Sequence, residues 1–108
     1  MTDPIGIWNL DRAQRTLESQ LSPGISLDDA RRALTESGIR YRELDVKTSS
    51  DEIIEGQPFS QRSGDKLLDG RKAAGGTPCT DILGVTLSFS PDGRLRSRSI
   101  HRHYRDCM

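Results

Sequence analysis

The segment from Leu83 to Ile100 constrains this chain more than any other. Leu83, Val85, Leu87 and Phe89 alternate with Gly84, Thr86 and Ser88, the period of a strand with one buried face. Ser90-Pro91-Asp92-Gly93 follows at once. Proline pre-sets φ for the first central position of a type I turn, and glycine accepts the positive φ of the bulge that closes it. A hairpin is therefore predicted, its second strand running from Arg94 to about Arg105. A simple ladder from this turn sets Phe89 against Leu95 but leaves Ile100 opposite Gly84, pointing away from the buried face. One extra residue between Ser97 and Ser99 turns Ile100 back against Val85, so a second bulge is expected there.

The shifted register also brings Cys79 opposite Asp106, beside Cys107. A disulfide needs Cα atoms within about 7 Å. Strict alternation points Cys107 to the face opposite Cys79, so the strand end must turn or fray to let them bridge. The cross-link would stabilise by about 3–4 kcal/mol and place the protein in an oxidising compartment. Two reduced thiols in a cytosolic chain are the alternative. The stabilisation matters because only 32% of the 108 residues are hydrophobic and mean hydropathy is -0.65. Such a chain buries one thin core.

Upstream, Leu10, Ala13, Leu17 and Leu21 recur at helical spacing, predicting a helix over 9–21 with Asn9 as its N-cap and Pro23-Gly24 as its stop. A second helix is predicted over 27–37. Ser26 caps it with Asp29 three residues on, Ile25 and Ala30 occupy the staple positions, and Asp28 and Asp29 suit the helix dipole. Gly38 is the expected left-handed residue beyond its end. Ile39 to Val46 reads as a strand, with a bulge near Arg42-Glu43 needed to bring Ile39, Tyr41, Leu44 and Val46 to one face. A turn at Thr48–Asp51 and a short strand at Ile53-Ile54 follow. Residues 56–78, punctuated by glycine and proline, read as a polar loop with at most one helical turn around Asp65–Leu68. The expected fold is α+β in a single domain over 1–108, with two N-terminal helices packed on a three- to four-stranded antiparallel sheet that ends in the long hairpin.

Charge is balanced overall, with 16 basic and 16 acidic residues, but residues 1–60 hold 7 basic and 11 acidic side chains and residues 61–108 hold 9 and 5. A dipolar molecule of this kind suits electrostatic docking. No run of 18 apolar residues occurs, so no helix is expected to span a membrane. Met1 to Gly6 lacks a basic n-region and an apolar h-region. The protein is then either cytosolic, or a periplasmic or secreted mature domain carrying a new initiator methionine.

The candidate binding row is the basic strand. Alternation places Arg94, Arg96 and Arg98 on one solvent face, and the shifted register adds His101, His103 and Arg105 while turning Arg102 toward the core. Such a row could grip phosphate, lipid head groups or an acidic protein surface. Tyr104 alone is available there for base stacking, fewer aromatics than an RNA-binding sheet shows. His101 and His103 share a face and could chelate an ion. No acidic or cysteine ligand stands at a recognisable spacing beside them, so they read as solvated, and no metal or cofactor is expected. No GxSxG, HExxH or Cys-His pair at a telling spacing is present, and no catalytic residue is assigned. Around Lys72 the glycine spacing fails the phosphate-loop pattern.

The run Gly24-Ile25-Ser26-Leu27-Asp28-Asp29-Ala30-Arg31-Arg32-Ala33-Leu34, then Gly38, a strand and a terminal hairpin, resembles the small bacterial envelope proteins of the BamE and β-lactamase-inhibitor-like type. The resemblance spans residues 24–105. It implies two helices on an antiparallel sheet and a role in binding other proteins. The expected function is a non-enzymatic periplasmic or secreted domain that binds, and as an inhibitor or immunity-type protein neutralises, a partner with an acidic surface. The alternative is a small cytosolic nucleic-acid-binding module using the basic C-terminal strand.

Overall fold

The computed structural model describes residues 7–74 and 80–105, with side chains for 10–73 and 81–103. Two helices, α1 (Ile7–Gln20) and α2 (Leu27–Glu36), precede six strands: β1 (Arg40–Asp45), β2 (Ser50–Ile54), β3 (Gln57–Gln61), β4 (Lys66–Ala74), β5 (Thr80–Phe89) and β6 (Leu95–Arg105). The main sheet is antiparallel with order β1-β4-β5-β6, and β2 and β3 form a separate two-stranded hairpin. The α+β expectation holds.

Both helices pack on one face of the main sheet. Leu10, Leu17, Leu21 and Leu34 meet Leu68, Leu83, Val85, Leu87, Phe89, Leu95 and Ile100 in one buried cluster. α1 begins earlier than the spacing predicts, so Asn9 lies within it rather than capping it. The second helix forms as its signals dictate. The Ser26 side chain accepts from Asp29 N–H at 3.1 Å. Beyond the C-terminus, Ile39 N–H donates to Leu34 O at 2.9 Å and Gly38 N–H to Thr35 O at 3.0 Å. With Gly38 at φ 75°, this pair of bonds is a Schellman close.

The hairpin turns where expected, with Gly93 at φ 84°. Its register sets Val85 against Ile100, as the second bulge requires, but the extra residue is Arg96, between Leu95 and Ser97. Side-chain alternation alone predicts it between Ser97 and Ser99. A bulge is cheapest where another group can take the unpaired residue, and Asp65 waits beside Arg96 at 2.8 Å.

Two further expectations are corrected. β1 pairs regularly with β4 from Arg40 to Asp45, with no bulge at Arg42-Glu43. Ile39 and Val46 are buried just outside the strand, and Leu44 is left 40% exposed on the opposite face. The supposed loop at 56–78 contains β3 and β4, while residues 75–78 lie outside the described residues. No helical turn forms at Asp65–Leu68, where β4 begins. β4 is a central strand in which charged residues separate two apolar pairs, Leu67-Leu68 and Ala73-Ala74. Leu68 points into the core, whereas Asp69 and Arg71 alternate onto the other face. Lys66 and Lys72 reach Asp45 and Ser37 O, at 3.0 and 3.1 Å. Gly70 is required by close approach, since a Cβ there would lie 2.8 Å from Ile39 Cγ2 and 2.9 Å from Arg40 O.

The β2–β3 hairpin covers half of the face opposite the helices. Its turn is Glu55-Gly56, both at positive φ (49° and 80°), as a two-residue type I′ turn demands. Ser88 Oγ donates to Ser60 O at 2.8 Å, and Ser60 N–H donates to Ser97 Oγ at 3.2 Å. At the rim, the Gln57 carboxamide donates to Ile100 O (2.8 Å) and accepts from Ile100 N–H (3.0 Å). One side chain thus reproduces a rung of strand pairing on the outer edge of β6, an edge otherwise open to association. Among the described residues no helix is long and apolar enough to cross a membrane.

Candidate functional site

The basic strand does not present a row. Arg94 remains exposed and reaches Gly24 O at 3.4 Å. Arg96 binds Asp65 through Nε (2.8 Å) and Nη2 (3.1 Å). Because the bulge lies at Arg96, Arg98 swings to the helix face and donates to Glu18 O (2.8 Å) and Leu21 O (2.7 Å), where the end of α1 carries its negative partial charge. Arg102 also faces the helices, as the register predicts. It is paired there with Asp11 of α1 and with Asp81, which is 4% exposed. The Asp81 hydrogen bonds raise the Arg102 pKa further, against the opposing effect of burial. These cations hold the fold together. The side chain of Arg105, and Cys79 and Cys107 altogether, lie outside the described residues.

His101 and His103 do share the face opposite the helices, beyond the half covered by β2–β3. Their rings stack with centroids 5.7 Å apart. His101 lies over Gly84, where a Cβ would stand 2.5 Å from its Nε2, and its Nδ1 is 3.2 Å from Ser99 Oγ. Burial lowers the His101 pKa, so the neutral imidazole is favoured. The Nδ1 atom of His103 is buried without a hydrogen-bond partner. The Glu55 turn brings a carboxylate to this pair, and one ligand atom from each of Glu55, His101 and His103 lies within 4.8 Å of the other two. No local spacing could disclose this, because the carboxylate arrives from a hairpin whose docking depends on β6.

Beside the histidines the sheet stays open. A cleft of about 90 Å³ is lined by Asp69, Arg71, Gly84, Thr86, His101 and His103. A shallower hollow of about 200 Å³ continues across Arg40, Arg42, Asp69 and Arg71. Arg40 stands directly opposite Arg71 in the β1–β4 ladder. Neither guanidinium has an ion-pair or hydrogen-bond partner among the described residues, whereas neighbouring Arg42 lies 3.4 Å from Asp69. Composition concealed this patch, because its arginines come from a strand and a supposed loop that only the topology makes neighbours. No known family model, curated protein or solved structure matches the chain.

Proposed function

We propose that this chain is a non-enzymatic protein-binding domain that docks an acidic segment of another protein on the open half of its sheet. The observation that carries the reading is the Arg40–Arg71 pair. Like charges directly opposite each other in a ladder are destabilising, and these two are exposed and form no ion pair among the described residues, the Asp69 carboxylate in the same hollow lying against Arg42. A bound carboxylate-rich segment relieves that repulsion and accepts paired guanidinium hydrogen bonds. His101, His103 and Thr86 border the same surface and offer further polar contacts. The partner surface is thus moved from the basic strand to the arginines of β1 and β4, with the histidines retained.

The reading extends to a periplasmic or secreted location and an inhibitor or immunity-type role, on the resemblance of the helix–strand–hairpin plan to small envelope proteins. A Cys79–Cys107 bridge belongs to it. Absence of free thiols in the native protein, with two appearing on reduction, supports that location; two free thiols in the native protein argue for the cytosol.

Poly-L-glutamate is a suitable probe of docking, followed by fluorescence anisotropy at low and moderate salt. Binding should weaken as salt screens the patch. It should fall at least about tenfold in the double variant R40E/R71E and change little in R94E, a charge step of the size double-mutant cycles measure at interfaces. Equal binding by R40E/R71E overturns the proposal. So does tighter binding of a single-stranded oligonucleotide of matched charge through the same arginines.

A further inference from the structure

We infer that Glu55, His101 and His103 form a binding site for a divalent transition-metal ion such as Zn(II). Two imidazoles and one carboxylate are the donor set that borderline ions prefer, whereas Mg(II) and Ca(II) favour all-oxygen surroundings. The three ligand atoms already lie within 4.8 Å of one another. A common ion at about 2.0–2.2 Å from each donor needs only small side-chain adjustment.

Three further features of the site fit this assignment. The first is Glu55 itself, at φ 49° in a turn position that Asn, Asp or Gly normally fills. A residue held in the left-handed region without local benefit points to a role for its side chain. The second is the unpartnered, buried Nδ1 of His103. A desolvated ring nitrogen with no hydrogen bond is costly, and ligation of the ion through this Nδ1 satisfies it. The third is Gly84, whose missing side chain leaves the room that the His101 ring occupies.

Ser99 Oγ, 3.2 Å from His101 Nδ1, supplies the outer contact that orients a ligating imidazole. Three protein ligands leave a fourth position for water or an outside group, and the adjacent cleft of about 90 Å³ has room for one. The ion would also tether the β2–β3 turn to β6, adding to the Gln57–Ile100 and Ser60–Ser97 hydrogen bonds there. The metal ligands are distinct from the docking arginines Arg40, Arg42 and Arg71, although His101 and His103 also border that surface.

Titration of the full chain with Zn(II) alone, by calorimetry at neutral pH with thiols blocked, tests the inference. One equivalent should bind saturably, with affinity falling at least about tenfold in each of E55Q, H101Q and H103Q. G84A, which displaces the His101 ring without altering a ligand, should weaken binding as well. Circular dichroism of each variant checks that it is folded. With Co(II), hyperfine-shifted proton signals should be traceable to both histidines, and this holds without any variant. Absence of saturable binding overturns the inference, as does wild-type affinity in H101Q and H103Q. Failure of the poly-L-glutamate experiment would leave this result untouched.

Discussion

Asp65 offers the sharpest test of how the C-terminal strand is held. Its side chain is fully buried, while that of its partner Arg96 is 35% exposed. It accepts two hydrogen bonds from Arg96 and a third from Arg62 N–H at 2.9 Å. Substituting Ala removes all three. Breaking a fully buried ion pair costs about 3–5 kcal/mol, but Arg96 can regain water, so about 2–4 kcal/mol is expected for Asp65→Ala. For a chain near 100 residues that lowers the melting temperature by roughly 10–20 °C.

Urea unfolding of Asp65→Ala, Arg96→Ala and the double variant should return a coupling energy of about 1–2 kcal/mol. The pH dependence carries a sign as well. Burial alone would raise the Asp65 carboxyl pKa, but the Arg96 and Arg62 hydrogen bonds hold it below the usual carboxylate value. A depressed folded pKa stabilises above the unfolded value, near about 4, and that contribution is lost as pH falls through the folded one. The gap between wild type and Asp65→Ala should therefore be constant above about pH 5 and close only in stronger acid. Stability of Asp65→Ala within about 0.5 kcal/mol of wild type, or strict additivity in the cycle, would refute the reasoning.

The remaining tests bear on the sheet. Gly70→Ala should destabilise by about 1–3 kcal/mol, because the new methyl meets Ile39 and the Arg40 backbone and strand pairing leaves neither free to move; a melting temperature equal to wild type would show that β1 can shift. Gln57→Ala should cost about 1 kcal/mol and speed exchange of the Ile100 amide specifically. The same variant should associate more readily at high concentration, read by light scattering, since it uncovers the outer edge of β6.

The parts of this fold that were legible in the sequence rest on local chemistry. Ser26, Asp29 and Gly38 delimit α2 through bonds that span a few residues, and Pro91-Asp92-Gly93 sets its turn in the same way. The need for a second register shift could also be read, because Ile100 has only one face on which to be buried. Its position could not, since Arg96 is chosen by Asp65, which is distant in sequence. β4 was hidden for a related reason. Its apolar pairs, Leu67-Leu68 and Ala73-Ala74, are separated by Asp69-Gly70-Arg71-Lys72 and show no alternation, and its Gly70 resembles a loop signal when it is a packing requirement. The candidate site was half visible. His101 and His103 share a face by simple alternation, whereas Glu55, Arg40 and Arg71 join them only through topology.

The role of β6 as a common anchor has a consequence for the order of folding. Leu95 bonds Gly24 and Ile25 in the interhelix turn, Arg98 holds the end of α1 across 77 positions, Arg102 reaches Asp11 across 91, and Ile100 seats Gln57 across 43. Each closure joins an early element to the last strand, which raises contact order and slows folding. During vectorial synthesis the helices and the β2–β3 hairpin emerge before the strand that fixes them. These closures are therefore expected to form only once β6 is available.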